Sequence, residues 1–406
     1  MAHLITGLDI GSSFIKGVVV TQKSNGTLSL VTAFKHPSAG FRKGVCVDLE
    51  DAICVLRDLA VDLQKISRRA THNVYVNVNS EQVKSRASRG IVAVARADQE
   101  VQQDDLDRVI QASRAVKLLP NYLVLHNIIR EYFVDDVGDI VDPLGMTANR
   151  LEVSTFIVES FAPQVNILVK HLERVGFRVS GLIFNPLAAA RAVLSKRQRD
   201  LGVLLIDFGF GTTSLAVYEE GKIIHTKSIP IGSGYITNDI AIGLKTSIDV
   251  AEKLKVEHGC AVAKNINRRD MIRLQDIDET EESEISRRFL SEIIEVRLAE
   301  ILDLVNNELK VLGRSLQLPA GVIMTGGAAK MPGLEELVRQ ELRLPVRVGL
   351  PHLSSFEITN PAHHDLLNDP ECSTAVGLAL WGAVEGGTKP TGAAQLIKGF
   401  LQNLMP

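Results

Sequence analysis

The chain is poor in cysteine: Cys46, Cys54, Cys260 and Cys372 are the four it has in 406 residues, and they form neither a CxxC pair nor a cluster with histidine. That scarcity argues against a zinc or iron–sulfur centre and fits a reduced cytosolic protein. No uninterrupted apolar run approaches the roughly 18 residues that a membrane-spanning helix needs. The first residues, Met1-Ala2-His3-Leu4-Ile5, lack the basic stretch and apolar core of a secretory signal and lead straight into a strand pattern, so an intracellular protein is expected. Charge of one sign is not in excess either. The formal net charge is −3, and no global field draws the chain toward nucleic acid. A Walker A lysine loop is absent as well. What is present is an ordinary globular composition, 45% hydrophobic and 23% charged, on a chain long enough for two or more domains.

Residues 4–9 and 14–20 read as two apolar strands around the tight turn Gly11-Ser12-Ser13, and Asn25-Gly26 turns the chain into a third. Apolar residues at Ile53, Leu56, Leu59, Ala60 and Leu63 carry a helical spacing over 51–68, and 74–78 is again a strand. A different pattern fills 81–160: a helix over 104–118, short strands around it, an Asp/Gly/Pro loop over 135–145 and a strand over 150–158. The expected plan is therefore α/β and two-lobed. The first lobe takes 1–80 and 161–200, with a small inserted α/β domain over 81–160. The second takes 201–235 and 320–385, with a mainly helical, charged subdomain over 236–319. A linker at 386–392 leads to a terminal helix over 393–406.

The chemistry lies in an internal repeat. Gly7-Leu8-Asp9-Ile10-Gly11-Ser12-Ser13 and Leu205-Ile206-Asp207-Phe208-Gly209-Phe210-Gly211-Thr212-Thr213 are the same device about 200 residues apart. Each places an aspartate at the end of a buried strand, and glycines and small hydroxyl residues then let backbone N–H groups close on an anion. A second strand follows each turn, whereas a dinucleotide-binding GxGxxG opens a helix, so Gly209-x-Gly211 is not that motif. One such hairpin could be an ordinary glycine turn. Two facing each other can clamp a triphosphate, with Asp9 and Asp207 orienting waters on Mg²⁺ and Lys16 reaching the phosphates as a point charge. Thr325-Gly326-Gly327-Ala328 follows another buried strand, where glycine admits close approach of a flat base or ribose. Glu252 and Lys255, three apart, share a helix face; the plain alternative for them is a solvated ion pair.

These elements, in this order, resemble the actin/Hsp70/sugar-kinase superfamily with its duplicated ribonuclease H-like fold. The stretch Asp142-Pro143-Leu144-Gly145-Met146-Thr147-Ala148-Asn149-Arg150-Leu151-Glu152 looks like the PxGMxxxRLE signature of the bacterial cell-division actin FtsA, and residues 125–135 look like the strand before it. The resemblance implies ATP held by Gly11, Ser12, Ser13 and Lys16 on one turn and by Asp207, Gly209, Gly211, Thr212 and Thr213 on the other. Gly234 would begin the following helix, Glu252 and Lys255 would face the adenosine, and Gly326, Gly327 and Ala328 would flank the base. It further implies self-assembly into filaments at the inner membrane, contact with other divisome proteins, and capture of the FtsZ tail, for which Arg288 and Arg297 are candidates; a solvated basic helix face is the plain alternative. Three departures stand out. Phe210 replaces a glycine, Ser214 replaces an Asp, and Asn185 stands where strongly hydrolysing relatives keep Glu or Gln to orient water. Asparagine has no basic carboxylate, so nucleotide binding with slow hydrolysis is expected, with Asp9, Asp207 and Asn185 as the only catalytic candidates.

Leu396, Ile397, Phe400, Leu401 and Leu404 form one apolar stripe on a terminal helix. Such a helix can lie in a bilayer interface, as the resemblance implies, or dock on protein. A pilus-type actin-like component (PilM-like) and a small-molecule kinase on the same fold are the competing readings. The RLE signature and the amphipathic tail favour the division protein, and no carboxylate base beside a sugar pocket can be nominated.

Overall fold

The computed structural model describes residues 3–96, 98–115, 118–278, 283–314 and 317–387. The first of two large sheets has the strand order Val179–Phe184, Val74–Val78, His3–Ile10, Phe14–Gln22, Leu28–Pro37, Phe356–Glu357. The second has the order Lys222–Ile229, Thr213–Glu219, Val203–Phe208, Val322–Thr325, Val346–Val348. In both, two antiparallel hairpins lie on one side of a central strand, and two parallel strands extend the sheet on the other. The repeat in the sequence is thus a repeat of the whole sheet, the duplicated ribonuclease H-like architecture of actin-like proteins.

Side-chain parity ties the lobes together. Successive residues of a strand point to opposite faces. Along Val203–Phe208, Val203 and Leu205 belong to the core of the first lobe, while Leu204, Ile206 and Phe208 belong to that of the second. A strand covered on both faces should be apolar throughout, and this one is, up to Asp207. Helices Asn185–Val193 and Ser373–Gly387 pack against each other in the first core through small residues. A Cβ on Gly377 would lie 1.9 Å from the Ala188 carbonyl oxygen, and one on Gly7 would lie 2.5 Å from that of Ala375. Among the described residues no helix is long and apolar enough to cross a membrane.

The segment after Val74–Val78 forms a third sheet, ordered Lys84–Ala93, Arg150–Phe161, Tyr122–Val134, Val137–Ile140, with helix Gln103–Arg114 across it. Val109, Leu151 and Val153 anchor a separate small core. The expected loop over 135–145 is corrected here: it contains strand Val137–Ile140. Asp135 and Asp136 both adopt left-handed φ, 45° and 72°, and turn the chain back so that Val134 pairs with Val137. The expected helix to residue 118 ends at Arg114. Within 236–319, helices Ile248–His258 and Arg287–Val311 are joined by a hairpin, Met271–Arg273 with Glu284–Ser286, that helical periodicity did not reveal. This inserted sheet is fastened to both lobes. Buried His126, its pKa pushed down to about 4 by burial, stays neutral, and its Nε2 accepts the Phe184 N–H at 3.0 Å. Lys222 of the second lobe reaches Glu131 at 3.1 Å and Asp139 at 2.7 Å.

Because the crossing at Gly377 has no room for a methyl group, Gly377→Ala is expected to cost about 1–3 kcal/mol of stability. Denaturant unfolding of the two proteins measures it, and equal midpoints would refute the close crossing.

Candidate functional site

The central strands of the two lobes end on the same cleft, about 480 Å³ in volume, with Asp9 and Asp207 both in its wall. That is within the range of ligand pockets, and it lies where open α/β sheets bind ligands, beyond the carboxyl ends of their strands. The two turns close in the same way. Gly11 N–H donates to the Phe14 carbonyl at 3.1 Å, and Gly209 N–H donates to that of Thr212 at 3.0 Å. Among the described residues no protein acceptor engages the backbone N–H groups of Ser12, Ser13, Phe210 or Gly211. Successive free amides in such turns can make a concave seat for an anion. The tips almost touch, for a Cβ on Gly211 would lie 2.7 Å from Ser12 Oγ.

Charge is distributed unevenly between the two aspartates. Lys16 lies opposite Asp9 in the hairpin register and pairs with it at 2.8 Å, while also donating to the Glu371 carbonyl at 2.9 Å. Burial opposes the Lys16 charge, but the Asp9 carboxylate outweighs it and holds the ammonium above its ordinary pKa. Ser214 occupies the equivalent place opposite Asp207 and supplies no charge. Burial, and then repulsion from Asp9, push Asp207 up to about 6. The Lys16 charge and then Asn185 oppose that rise, and Asn185 Oδ1 accepts from Asn77 at 2.9 Å. Two neighbouring buried carboxylates with a single lysine favour an added cation. Two carboxylates are the few protein ligands that an ion keeping most of its water takes.

The wall continues beside Asp207 through the turn after Val322–Thr325. Gly326 has φ 87°, and a Cβ there would lie 2.5 Å from Asp207 Oδ1, so the turn after Val322–Thr325 requires glycine. Gly327, Ala328, Met331 and Pro332 continue the wall toward Glu252 and Lys255. Lys255 and Glu252 do form an ion pair, with the lysine buried and the glutamate part-exposed. Lys255 Nζ meets Glu252 at 2.6 Å and the Thr237 hydroxyl at 2.8 Å. Burial lowers its pKa, with Glu252 opposing.

Two expected contacts are not brought to the cleft wall. Thr213 already belongs to strand Thr213–Glu219, and its buried hydroxyl donates to the Ile231 carbonyl at 2.8 Å. Gly234 lies behind the turn, where its N–H donates to the Phe210 carbonyl at 2.8 Å and a Cβ would meet the Phe210 ring. Ser233, its neighbour, lines the cleft instead. Arg288 and Arg297 sit away from the cleft on helix Arg287–Val311. Arg297 holds Asp239 through two bonds of 2.5 and 2.9 Å and also pairs with Glu300, while Arg288 pairs with Glu292 at 3.2 Å. Leu396, Ile397, Phe400, Leu401 and Leu404 lie outside the described residues.

Asn79 and Glu371 were not foreseen. Asn79 Nδ2 donates to Thr212 at 2.8 Å, and its Oδ1 accepts from Ser214 at 3.0 Å and Ser228 at 2.8 Å, bolting the first lobe to the second turn. The Glu371 carboxylate joins Lys35 of the first sheet to Lys330 of the second lobe. An Asn-x-Asn at the end of an apolar strand is the one local signal for the first. Nothing local marks the second.

Residues 204–377 match the family model described as cell division protein FtsA, and residues 80–159 match that of the SHS2 domain inserted in FtsA. The chain is 35% identical over 379 residues to the cell division protein FtsA of Pseudomonas aeruginosa, covering 93% of this chain and 89% of that protein. Among solved structures it is similar to a chain of the PilM–PilN type IV pilus biogenesis complex, with TM-score 0.66, 18% identity, and 93% and 98% coverage. It is also similar to MreB5 of Spiroplasma citri bound to ADP, with TM-score 0.54, 15% identity, and 93% and 96% coverage. Both structural likenesses concern the fold.

The Asp207 carboxyl titrates near 6 when folded, against an ordinary value of 3.8. Its contribution to stability is therefore complete below the lower value and is lost as pH rises through the higher one. Asp207→Asn removes the buried charge and is expected to stabilise the nucleotide-free protein by about 1–3 kcal/mol at neutral pH, with the gain disappearing toward the lower value. Urea unfolding across that pH range is the check, and a pH-independent difference would contradict it.

Proposed function

The chain belongs to the FtsA family of cell division proteins, and on that premise we propose that it is an ATP-binding, actin-like protein that polymerises on the cytoplasmic face of the inner membrane and anchors the FtsZ ring at the division site. The observation that carries the reading is the single cleft shared by two equivalent turns, with Asp9 and Asp207 in its wall. The free amides of Ser12, Ser13, Phe210 and Gly211 seat the phosphates from both sides, and Lys16 adds positive charge. Asp9 and Asp207 would hold a Mg²⁺ that arrives with the nucleotide, and that ion would neutralise phosphate charge. Glu252 and Lys255 face the ribose, and Gly326, Gly327 and Ala328 admit the base against the backbone.

Hydrolysis is slow in this reading because Asn185 is committed elsewhere. It is buried, it accepts from Asn77, and it supports Asp207. An amide cannot take a proton from water as a carboxylate can. The nucleotide then serves chiefly to hold the lobes in one arrangement, as a filament subunit requires. The FtsZ tail, as an acidic peptide, would compete with Asp239 for Arg297 and with Glu292 for Arg288, so affinity per site is modest and many subunits multiply it. Residues 393–406 supply the membrane anchor.

Gly211→Val forces a branched side chain into contact with Ser12 and should weaken ATP binding at least about 100-fold, or roughly 3 kcal/mol, in calorimetric titration. Unchanged affinity would remove the clamp. Deletion of residues 393–406 should abolish co-sedimentation with liposomes yet leave co-sedimentation with FtsZ filaments intact. A truncated protein that still pellets with lipid would overturn the anchor.

A further inference from the structure

Between strand Leu28–Pro37 and helix Leu49–Ile66 the chain makes a small hairpin, Phe41–Arg42 against Val45–Cys46, whose tip is Lys43-Gly44. Both tip residues are left-handed, with φ 52° and 74°. That conformation suits the glycine and is disfavoured for the lysine. The tip is wedged between the lobes. A Cβ on Gly44 would lie 1.3 Å from the Asn79 carbonyl oxygen, so only glycine fits against the first lobe. On the other side, a Cβ on Gly211 would lie 2.9 Å from the Lys43 nitrogen, so the same tip abuts the second phosphate turn.

The Lys43 side chain extends the contact further into the second lobe. Its ammonium donates to the Tyr235 hydroxyl and sits 4.8 Å from the centre of that ring. Tyr235 lies in the first turn of helix Ser233–Leu244, whose Ser233 and Gly234 N–H groups bond back to the Gly209 and Phe210 carbonyls. Arg297 stands 5.8 Å from the same ring and is itself held by Asp239. The ring is thus positioned on one side by the nucleotide turn and on the other by a fixed guanidinium. Lys43 and Tyr235 are both half-buried, and neither is in the cleft wall, so neither is placed to touch a bound nucleotide. The Asn79 bonds across the same end of the cleft are buried. The Lys43–Tyr235 contact is the solvent-edge one, and it must break before the tip can lift from Gly211.

The geometry points to Lys43 and Tyr235 as a latch: positioning residues that pin the hairpin tip across the phosphate end of the cleft and set how fast a nucleotide leaves it. The inference rests on the nucleotide reading above. The test follows release of a fluorescent ATP analogue with Mg²⁺ from the full chain, chased with excess unlabelled ATP. Lys43→Met and Tyr235→Leu should each speed release about 3–30-fold, as expected for a directly coupled pair. The double variant should release no faster than the faster single one. Lys43→Arg, which keeps a cation over the ring, should stay near the wild-type rate. Tyr235→Phe, which removes only the hydroxyl acceptor and spares the packing, should fall between wild type and Tyr235→Leu, and it serves if the leucine variant does not fold. Unchanged release in both Lys43→Met and Tyr235→Phe, or single-variant accelerations that multiply in the double variant, overturns the latch alone. A wild-type protein that takes up no analogue overturns the nucleotide reading, and the latch with it.

Discussion

Two carboxylates are buried at the ends of two central strands, close enough for the charge of one to raise the pKa of the other. Asp9 is in salt-bridge contact with Lys16, whereas Asp207, pushed up by burial and by Asp9, feels the Lys16 charge without such a contact and is otherwise eased by Asn185. A fold that leaves this imbalance in its interior gives up stability when nothing is bound and recovers it when positive charge arrives between the lobes. Much of the surrounding structure follows from keeping the two groups close. The small-residue helix pair brings the sheets together, Gly326 yields space to the Asp207 carboxylate, and Asn77 and Asn79 occupy the polar ground where water would otherwise relieve the strain.

Much of this was legible in the chain itself. The repeat around Asp9 and Asp207 is local, and each copy carries its own turn glycines, so the twin hairpins and the α/β actin-like plan could be read before any coordinates. Lys16 was singled out by its spacing as a charge for the phosphates; the antiparallel register that sets it opposite Asp9 was not read from the sequence. Thr213 and Gly234 are engaged behind the turn, which motif membership alone does not foretell, since it does not say which way a residue faces once a strand begins. The wall formed by Lys35, Glu371 and Lys330 was invisible because its members meet only after both lobes have folded. The short strand Val137–Ile140 was hidden for a different reason. Asp-Asp is a poorer turn signal than Asn-Gly, yet here both aspartates accept left-handed φ.

Membership of the FtsA family accounts for the third sheet, which an actin-like core does not require. Its fastening to both lobes, through His126 on one side and Lys222 on the other, means that a displacement of the lobes is felt in the insert. The same holds for helix Arg287–Val311, whose Arg297 stands beside the ring of Tyr235, on a helix whose first N–H groups bond to the Gly209 and Phe210 carbonyls.

The strand Val203–Phe208 lends alternate side chains to two different cores. Its register is therefore guarded twice over. A slip of one residue would exchange the two sets, presenting Leu204, Ile206 and Phe208 to a space shaped for Val203 and Leu205, and would carry Asp207 out of reach of Asp9. Neither half of the duplicated fold can be completed as a free-standing module, because each borrows part of its interior from a wall common to both. A gene encoding only one half would leave that wall bare on one face.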